Sequence, residues 1–228
     1  MFIVLEGTDG CGKTTQAALL YERLEQAGHR VAHFHFPILE EKSVFGELIA
    51  AYLRGELGDI ATLPPKLIGA LYAANRHETR PVLQKALEEG KVLVVDRYYA
   101  SNLAYAGAKV PAGAERDALI RWLIQTDLEG FGNLAPDLTL FLDAPLRFST
   151  SVNQQRNKTR DRAYTEGKQD IHEAKVEYQA CVQEVYRSLG GYLSNYDIVA
   201  CGDGLGGMKP KERIAEEIWA RVEGLLPR

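Results

Sequence analysis

The stretch that decides the fold is residues 1–16, MFIVLEGTDGCGKTTQ. Its apolar run from Phe2 to Leu5 is long enough for one buried strand, and the segment from Gly7 to Thr14 fits the pattern G-x-x-x-x-G-K-[ST] without a gap. The backbone N–H groups of such a loop wrap a polyphosphate, and the following helix directs its N-terminal N–H groups at the same anion. The sequence therefore predicts a strand, a phosphate loop and a helix that together bind a nucleoside triphosphate.

Each residue type in this loop has a physical reason to lie beside phosphate. Glycines let the backbone approach closely, Lys13 can reach the β- and γ-phosphates, and the Thr14 hydroxyl can bind Mg²⁺. A glycine-rich turn without a ligand is the alternative, although strand, loop and helix fall in the order that triphosphate binding requires. The residues expected to bind the triphosphate are Gly7, Thr8, Asp9, Gly10, Cys11, Gly12, Lys13, Thr14 and Thr15.

The composition is ordinary for a globular α/β domain: 228 residues, 46% hydrophobic and 25% charged. The net charge of −4 gives no general reason to expect nucleic acid or a membrane as a partner. The three cysteines are widely spaced without a C-x-x-C pair, which favours a reducing compartment and no zinc site. Because we find neither a leader-like segment nor an apolar run of about eighteen residues, we expect a cytoplasmic protein.

Four more apolar segments, residues 31–36, 92–95, 138–142 and 196–200, are predicted to be strands. Helical patterns separate them, and Pro81 is expected to kink or divide the long helix predicted from Pro65 to Glu89. Another helix is predicted from Ala114 to Leu128. Alternating strands and helices predict one α/β domain over residues 1–228, with a P-loop NTPase-type five-stranded parallel sheet and helices on both faces.

Candidate ligand-binding residues follow the strands at the edge where a parallel sheet binds its ligands. Phe36-Pro37 follows the second strand, and Asp96-Arg97 follows the third. Residues 156–168 are almost free of apolar side chains and crowd basic ones together, namely Arg156, Lys158, Arg160 and Arg162. In an acidic protein, this cluster predicts either a solvated loop or a short lid that supplies arginine to the transferring phosphate.

Several segments together resemble the thymidylate kinases. They are GTDGCGKTTQ at 7–16, FP at 36–37, LYAANR at 71–76, DRYYASNLAYAGA at 96–108 and PDLTLFLD at 136–143, in the family's order and at nearly its spacing. The resemblance spans most of residues 1–175. It implies phosphorylation of dTMP to dTDP with ATP and Mg²⁺, and a homodimer packed through helices.

The resemblance also implies roles for residues around both substrates. Asp9 would contact the acceptor sugar and Arg97, Arg97 would grip the monophosphate, and Asp96 would hold Mg²⁺ through water. The remaining expected dTMP-binding residues share the acceptor pocket: Tyr72 stacking on thymine, Arg76 donating to the base O4, Ser101 and Asn102 reading the base edge, Tyr105 disfavouring ribose, and Phe36, Pro37 and Leu53 lining the wall.

One departure concerns the catalytic arginine. Gly10 follows Asp9 where some members have arginine, so the chain resembles the class that supplies this arginine from the lid. Arg156 and Arg160 are the best candidates, with Arg162 a third. The catalytic residues are therefore expected to be Asp9, Lys13, Arg97, Arg156 and Arg160.

Two other functions fit the sequence less well. A deoxynucleoside kinase or another nucleoside monophosphate kinase would share the phosphate loop, and a nucleoside kinase would need a carboxylate base, which Glu40 or Glu41 could supply. A non-catalytic ATP-binding regulatory module would bind nucleotide without turnover. The intact Lys13, Asp96 and Arg97 argue against it.

Overall fold

The protein is built around one parallel β-sheet. The computed structural model describes residues 1–39, 43–58, 63–148 and 176–226. Its strands are β1 (Phe2–Glu6), β2 (Val31–His35), β3 (Val92–Asp96), β4 (Leu138–Asp143) and β5 (Tyr196–Ala200). They pair in parallel in the order β2-β3-β1-β4-β5, so the predicted α/β sheet is confirmed.

The helices are α1 (Lys13–Gln26), α2 (Val44–Leu53), α3 (Pro65–Glu88), α4 (Tyr99–Gly107), α5 (Ala114–Gln125), α6 (Val176–Ser188) and α7 (Lys211–Val222), with short 3₁₀ turns at Leu189–Gly191 and Glu223–Leu225. A single π-helical turn, Thr126–Gly130, follows α5, where the sequence predicted an α-helix to residue 128. Division of the long helix at Pro81 does not occur, because α3 runs unbroken past it. Pro81 and His77, whose carbonyl loses its N–H partner, are both exposed, so water can satisfy that carbonyl.

Helices cover both faces of the sheet, as predicted. Successive side chains of a strand point to opposite faces. Phe2 and Val4 of β1 therefore pack into one core with residues of α3, α4, α5 and α6, whereas Ile3 and Leu5 pack into the other with residues of α1 and α7. Since both faces of β1 are buried, the strand holds the phosphate loop at a fixed position on the carboxyl edge of the sheet.

A smaller apolar cluster joins α2 to α3 beside that edge. Ile49, Tyr52 and Leu53 of α2 pack against Ile68 of α3. The buried Asn75 side chain secures the approach to α2, with its amide donating to the Ile38 carbonyl and its oxygen accepting the Ile38 N–H. This cluster becomes one wall of the site described below.

The predicted lid over residues 156–168, with Arg156 and Arg160, lies outside the described residues. Within the described ranges, no helix is both long enough and apolar enough to span a membrane.

Candidate active site

The phosphate loop joins β1 to α1. Gly7 has a φ of 152°, and a Cβ at this position would lie 2.6 Å from Cys11 Sγ, so a side chain is excluded here. Lys13 Nζ donates to the carbonyl oxygens of Gly7 at 3.1 Å and Thr8 at 2.8 Å. The loop therefore encloses a buried cation, as the phosphate-binding pattern predicts.

A hydroxyl and a carboxylate meet beside the loop. Thr14 Oγ1 donates to Asp96 Oδ2 at 2.8 Å, and His35 Nδ1 lies 3.4 Å from the same oxygen. Burial would raise the pKa of Asp96, but His35 and Lys13 hold that pKa below its usual range. Asp96 Oδ1 is buried without a hydrogen-bond partner in the described part of the chain. An ionised carboxylate beside a threonine hydroxyl suits hydrated Mg²⁺, so both predicted metal-site residues fit the cation.

Arg97 follows β3 with a φ of 67°, a left-handed backbone conformation that is uncommon for a residue with a side chain. Its Nη2 donates to Asp9 Oδ1 at 2.5 Å, and its Nη1 donates to Ser101 Oγ at 3.1 Å. The Tyr105 hydroxyl donates to the other Asp9 oxygen at 2.8 Å. Burial would lower the pKa of Arg97, but Asp9 raises it well above its ordinary value. The implied Asp9–Arg97 contact is confirmed, and it joins the phosphate loop to the turn after β3.

The sequence reasoning missed Glu6, the last residue of β1. Its Oε1 accepts the N–H groups of Tyr98 at 2.8 Å and Ser101 at 3.1 Å, and its Oε2 accepts the hydroxyls of Ser101 at 2.5 Å and Tyr186 at 3.0 Å. Burial raises the pKa of Glu6 despite these hydrogen bonds. The available signal was a charged residue ending an apolar strand directly before the loop. The Ser101 hydroxyl is shared by Glu6 and Arg97, and its contact with a base stays a prediction.

A cavity of about 670 Å³ extends from the phosphate loop to the cluster between α2 and α3. Every predicted site residue within the described ranges lines this cavity except Gly7 and Thr8, whose carbonyls bind Lys13. Such a volume is typical of a small-molecule site. The tertiary structure thus brings together residues predicted separately from the phosphate loop, the second strand and three helices.

The end of the cavity away from the loop has an apolar wall. Phe36 and Leu53 are buried, and the Tyr72 ring packs edge-on against Tyr52 at 6.5 Å between centroids. Asn102 Nδ2 donates to the Gly69 carbonyl at 3.1 Å, which fixes the orientation of its amide. Apolar surface with one oriented amide can accept a flat heterocycle and recognise its edge.

Arg76 lines the same end of the cavity but is only 2% exposed. Its Nε donates to Asp127 Oδ1 at 3.0 Å, and its Nη2 donates to Asp127 Oδ2. The sequence predicted Arg76 as a pocket residue and missed Asp127. No local pattern marks Asp127, because a π-helical turn 51 residues further along the chain brings it to the arginine.

Lys109 is a further cavity residue that the sequence reasoning missed. Its Nζ donates to the Tyr52 hydroxyl at 3.0 Å and lies 5.5 Å from the ring centroid. Burial lowers the pKa of Lys109 to about 8. This amine therefore changes charge near the upper end of the physiological pH range.

The fold and site define a class. A phosphate loop on a central parallel strand, an adjoining threonine–aspartate pair and an arginine-bearing second compartment are the parts of a P-loop phosphotransferase with two substrates. The chain belongs to the thymidylate kinase family, whose model matches residues 5–199.

Two named relatives match along nearly the whole chain, and a third matches over part of it. It is 34% identical over 229 residues to a thymidylate kinase of Clavibacter michiganensis, covering 99% of this chain and 96% of the relative. It is 34% identical over 231 residues to a probable thymidylate kinase of Thermococcus kodakarensis, covering 99% and 98%. Identity to the human thymidylate kinase is 38% over 144 residues, covering 63% of this chain and 61% of the human protein.

Proposed function

We propose that this enzyme transfers the γ-phosphoryl group of ATP to a phosphate oxygen of dTMP, giving dTDP for dTTP synthesis. The contact between Arg97 and Asp9 carries the proposal, because it joins the phosphate loop directly to the second compartment. Family membership identifies the acceptor. The cavity of about 670 Å³ runs from the phosphate loop to the apolar wall, as two substrates bound end to end would require.

The donor end of the cavity is proposed to bind ATP. The loop N–H groups and Lys13 hold the β- and γ-phosphates, so Lys13 releases the carbonyls of Gly7 and Thr8 when nucleotide enters. Thr14 and Asp96 would hold Mg²⁺, which when bound neutralises charge on the phosphates.

The acceptor end is proposed to hold dTMP with its phosphate at Arg97. The planar guanidinium can bind a phosphate at two oxygens, while Asp9 and Tyr105 lie beside it for the sugar. No general base is needed, because the attacking oxygen of the monophosphate is already anionic. Phe36, Leu53 and Tyr72 provide the apolar wall for the base.

Three further parts of the proposal come from the sequence and the family resemblance. Arg156 or Arg160 supplies positive charge to the transferring phosphoryl group from the lid. The active form is a homodimer. The enzyme works in the cytoplasm.

A coupled ADP-release assay tests the proposed activity. The purified chain is assayed with ATP and, in separate reactions, dTMP, thymidine, dUMP, dCMP and AMP. The Lys13→Ala variant controls for contaminating kinases, since removing the loop ammonium should abolish most phosphoryl transfer. We expect the highest kcat/KM with dTMP. Turnover of thymidine without turnover of dTMP would instead indicate a deoxynucleoside kinase, and nucleotide binding with no turnover of any acceptor would indicate a regulatory module.

A further inference from the structure

The guanidinium of Arg76 is fixed on one side and available on the other. Asp127 accepts hydrogen bonds from Nε and Nη2, which occupies one edge of the planar group. Nη1 has no hydrogen-bond partner among the described residues, while Arg76 lines the acceptor end of the cavity. The ring of Tyr98 lies 5.6 Å from the guanidinium carbon, at a distance typical of a cation–π contact. The remaining N–H donors of Arg76 are therefore held in one orientation.

Hydrogen bonds from the segment that follows the π-helical turn hold the Asp127 carboxylate in place. Asn133 Nδ2 donates to Asp127 Oδ1 at 2.8 Å and to the Ala73 carbonyl of α3 at 3.0 Å. The Asn133 N–H donates to the Asp127 carbonyl at 3.0 Å, closing the chain back on the π-helical turn. Asp127 is 1% exposed, so water does not compete for its oxygens.

We propose that Asp127 is a positioning residue for recognition of the base. This inference rests on the function proposed above. Asp127 holds two donor groups of Arg76, so that Nη1 presents an N–H to a keto oxygen at position 4 of a pyrimidine. A base with an amino group at that position would place a donor against a donor and leave both unsatisfied. Asp127 thereby contributes to the choice of base without touching it.

The orientation of Arg76 matters because a freely rotating arginine side chain recognises a single base oxygen with little selectivity. The side chain has several rotatable bonds, and ordering it on each binding event would cost affinity. In the folded protein that ordering is already complete, since the buried pair leaves Arg76 one position. Loss of Asp127 should therefore raise KM and relax base choice while leaving the phosphates aligned for transfer.

Two residues after the π-helical turn also contact α3 through side chains other than Arg76. These contacts provide a matched control. His77 Nδ1 lies 2.7 Å from the Phe131 carbonyl oxygen, and Arg80 Nη1 donates to the Gly132 carbonyl at 2.8 Å. Arg80 lies one turn beyond Arg76 on α3 and does not line the cavity. The Arg80→Ala variant removes a loop attachment of similar length without touching Arg76.

The test compares Asp127→Asn, Asp127→Glu, Arg80→Ala and the unaltered chain in steady-state kinetics with saturating ATP. The acceptors are dTMP and 5-methyl-dCMP, which replaces the keto oxygen at position 4 by an amino group. For Asp127→Asn we expect KM for dTMP to rise about tenfold and the preference for dTMP to fall about tenfold, with kcat changed by less than about threefold. For Arg80→Ala we expect both quantities to stay within about twofold.

Thermal melts accompany each variant, because removing one partner of a buried ion pair destabilises a fold. If Asp127→Asn does not fold, Asp127→Glu decides: it keeps the charge but displaces it by one methylene, so the preference should still fall severalfold. Unchanged preference in a folded Asp127 variant overturns the inference, as does an equal loss in Arg80→Ala. If the unaltered chain turns over other acceptors but not dTMP, the proposed function fails, and the inference fails with it.

Discussion

The two arginines of the cavity are each paired with an aspartate from a distant part of the chain, but the pairs differ in burial. The side chains of Arg97 and Asp9 are 12% and 21% exposed, whereas those of Arg76 and Asp127 are 2% and 1% exposed. The more exposed pair can exchange its partners for a substrate, whereas the buried pair keeps its mutual hydrogen bonds and can offer a substrate only the donors that remain. We therefore expect changes at the phosphate end to act mainly on kcat, and changes at the base end to act mainly on KM.

The largest expected effect would come from the lid. Arg156→Ala or Arg160→Ala should lower kcat by about a thousandfold, with KM for dTMP nearly unchanged, because a lid arginine binds charge that develops only in the transition state. Single-turnover kinetics with each variant identify which arginine acts, and Arg162→Ala completes the set. If both Arg156→Ala and Arg160→Ala turn over at comparable, nearly unaltered rates, the assignment of the catalytic arginine to these two lid positions is wrong.

Replacement of Arg97 by lysine should have the next largest effect. Arg97→Lys keeps the charge but loses the planar fork, so we expect kcat/KM for dTMP to fall about a hundredfold, mostly in kcat. Arg76→Lys is the matched variant at the base end, and its loss should lie mostly in KM. Equal division of the loss between kcat and KM in both variants would remove the distinction between the two ends.

Glu6→Gln should give an intermediate effect through Arg97. The amide has the shape of the carboxylate but turns one acceptor of the Ser101 and Tyr186 hydroxyls into a donor. We expect about a tenfold fall in kcat/KM for dTMP, with ATP affinity, measured by calorimetry, nearly unchanged. Tyr186→Phe removes one of the same hydrogen bonds and should change kcat/KM by no more than about twofold. A tenfold loss in that control would show that Glu6 supports packing rather than Arg97.

The smallest effect should be a pH dependence from Lys109. Because its pKa in the folded protein is about 8, below the ordinary value of lysine, the ammonium charge is present below pH 8 and is lost as pH rises through it. Loss of a cation from the cavity should raise KM for the dianionic dTMP by about twofold between pH 7 and pH 9. Lys109→Arg stays charged across this range and should abolish the rise. Persistence of the same rise in Lys109→Arg would assign it to another group.

The sequence predicted the strands to within a residue, and the predicted site residues make up about half of the cavity lining in the described part of the chain. Those predictions rest on local signals: an unbroken apolar run for β1, and glycine spacing for the loop that follows it. Among the residues that were missed, Glu6 carried a local signal as the charged end of an apolar run, whereas Lys109 and Asp127 are single charges with no distinctive pattern around them. The π-helical turn was missed for a related reason, because the apolar pattern before it continues as an ordinary helix.

By itself the sequence determined the phosphate loop, the parallel sheet and the residues that gather at its carboxyl edge. The spacing of apolar residues and of glycines is a local property of the sequence. It therefore predicts strands, helices and the phosphate loop without knowledge of the tertiary packing. The family resemblance implied the contact between Asp9 and Arg97, but only the tertiary structure showed which carboxylate holds Arg76. Asp9 meets Arg97 across 88 residues, and Asp127 meets Arg76 across 51. Such pairings depend on strand register and on how the helices pack, and the energy of a buried charge then depends entirely on the partner that packing supplies.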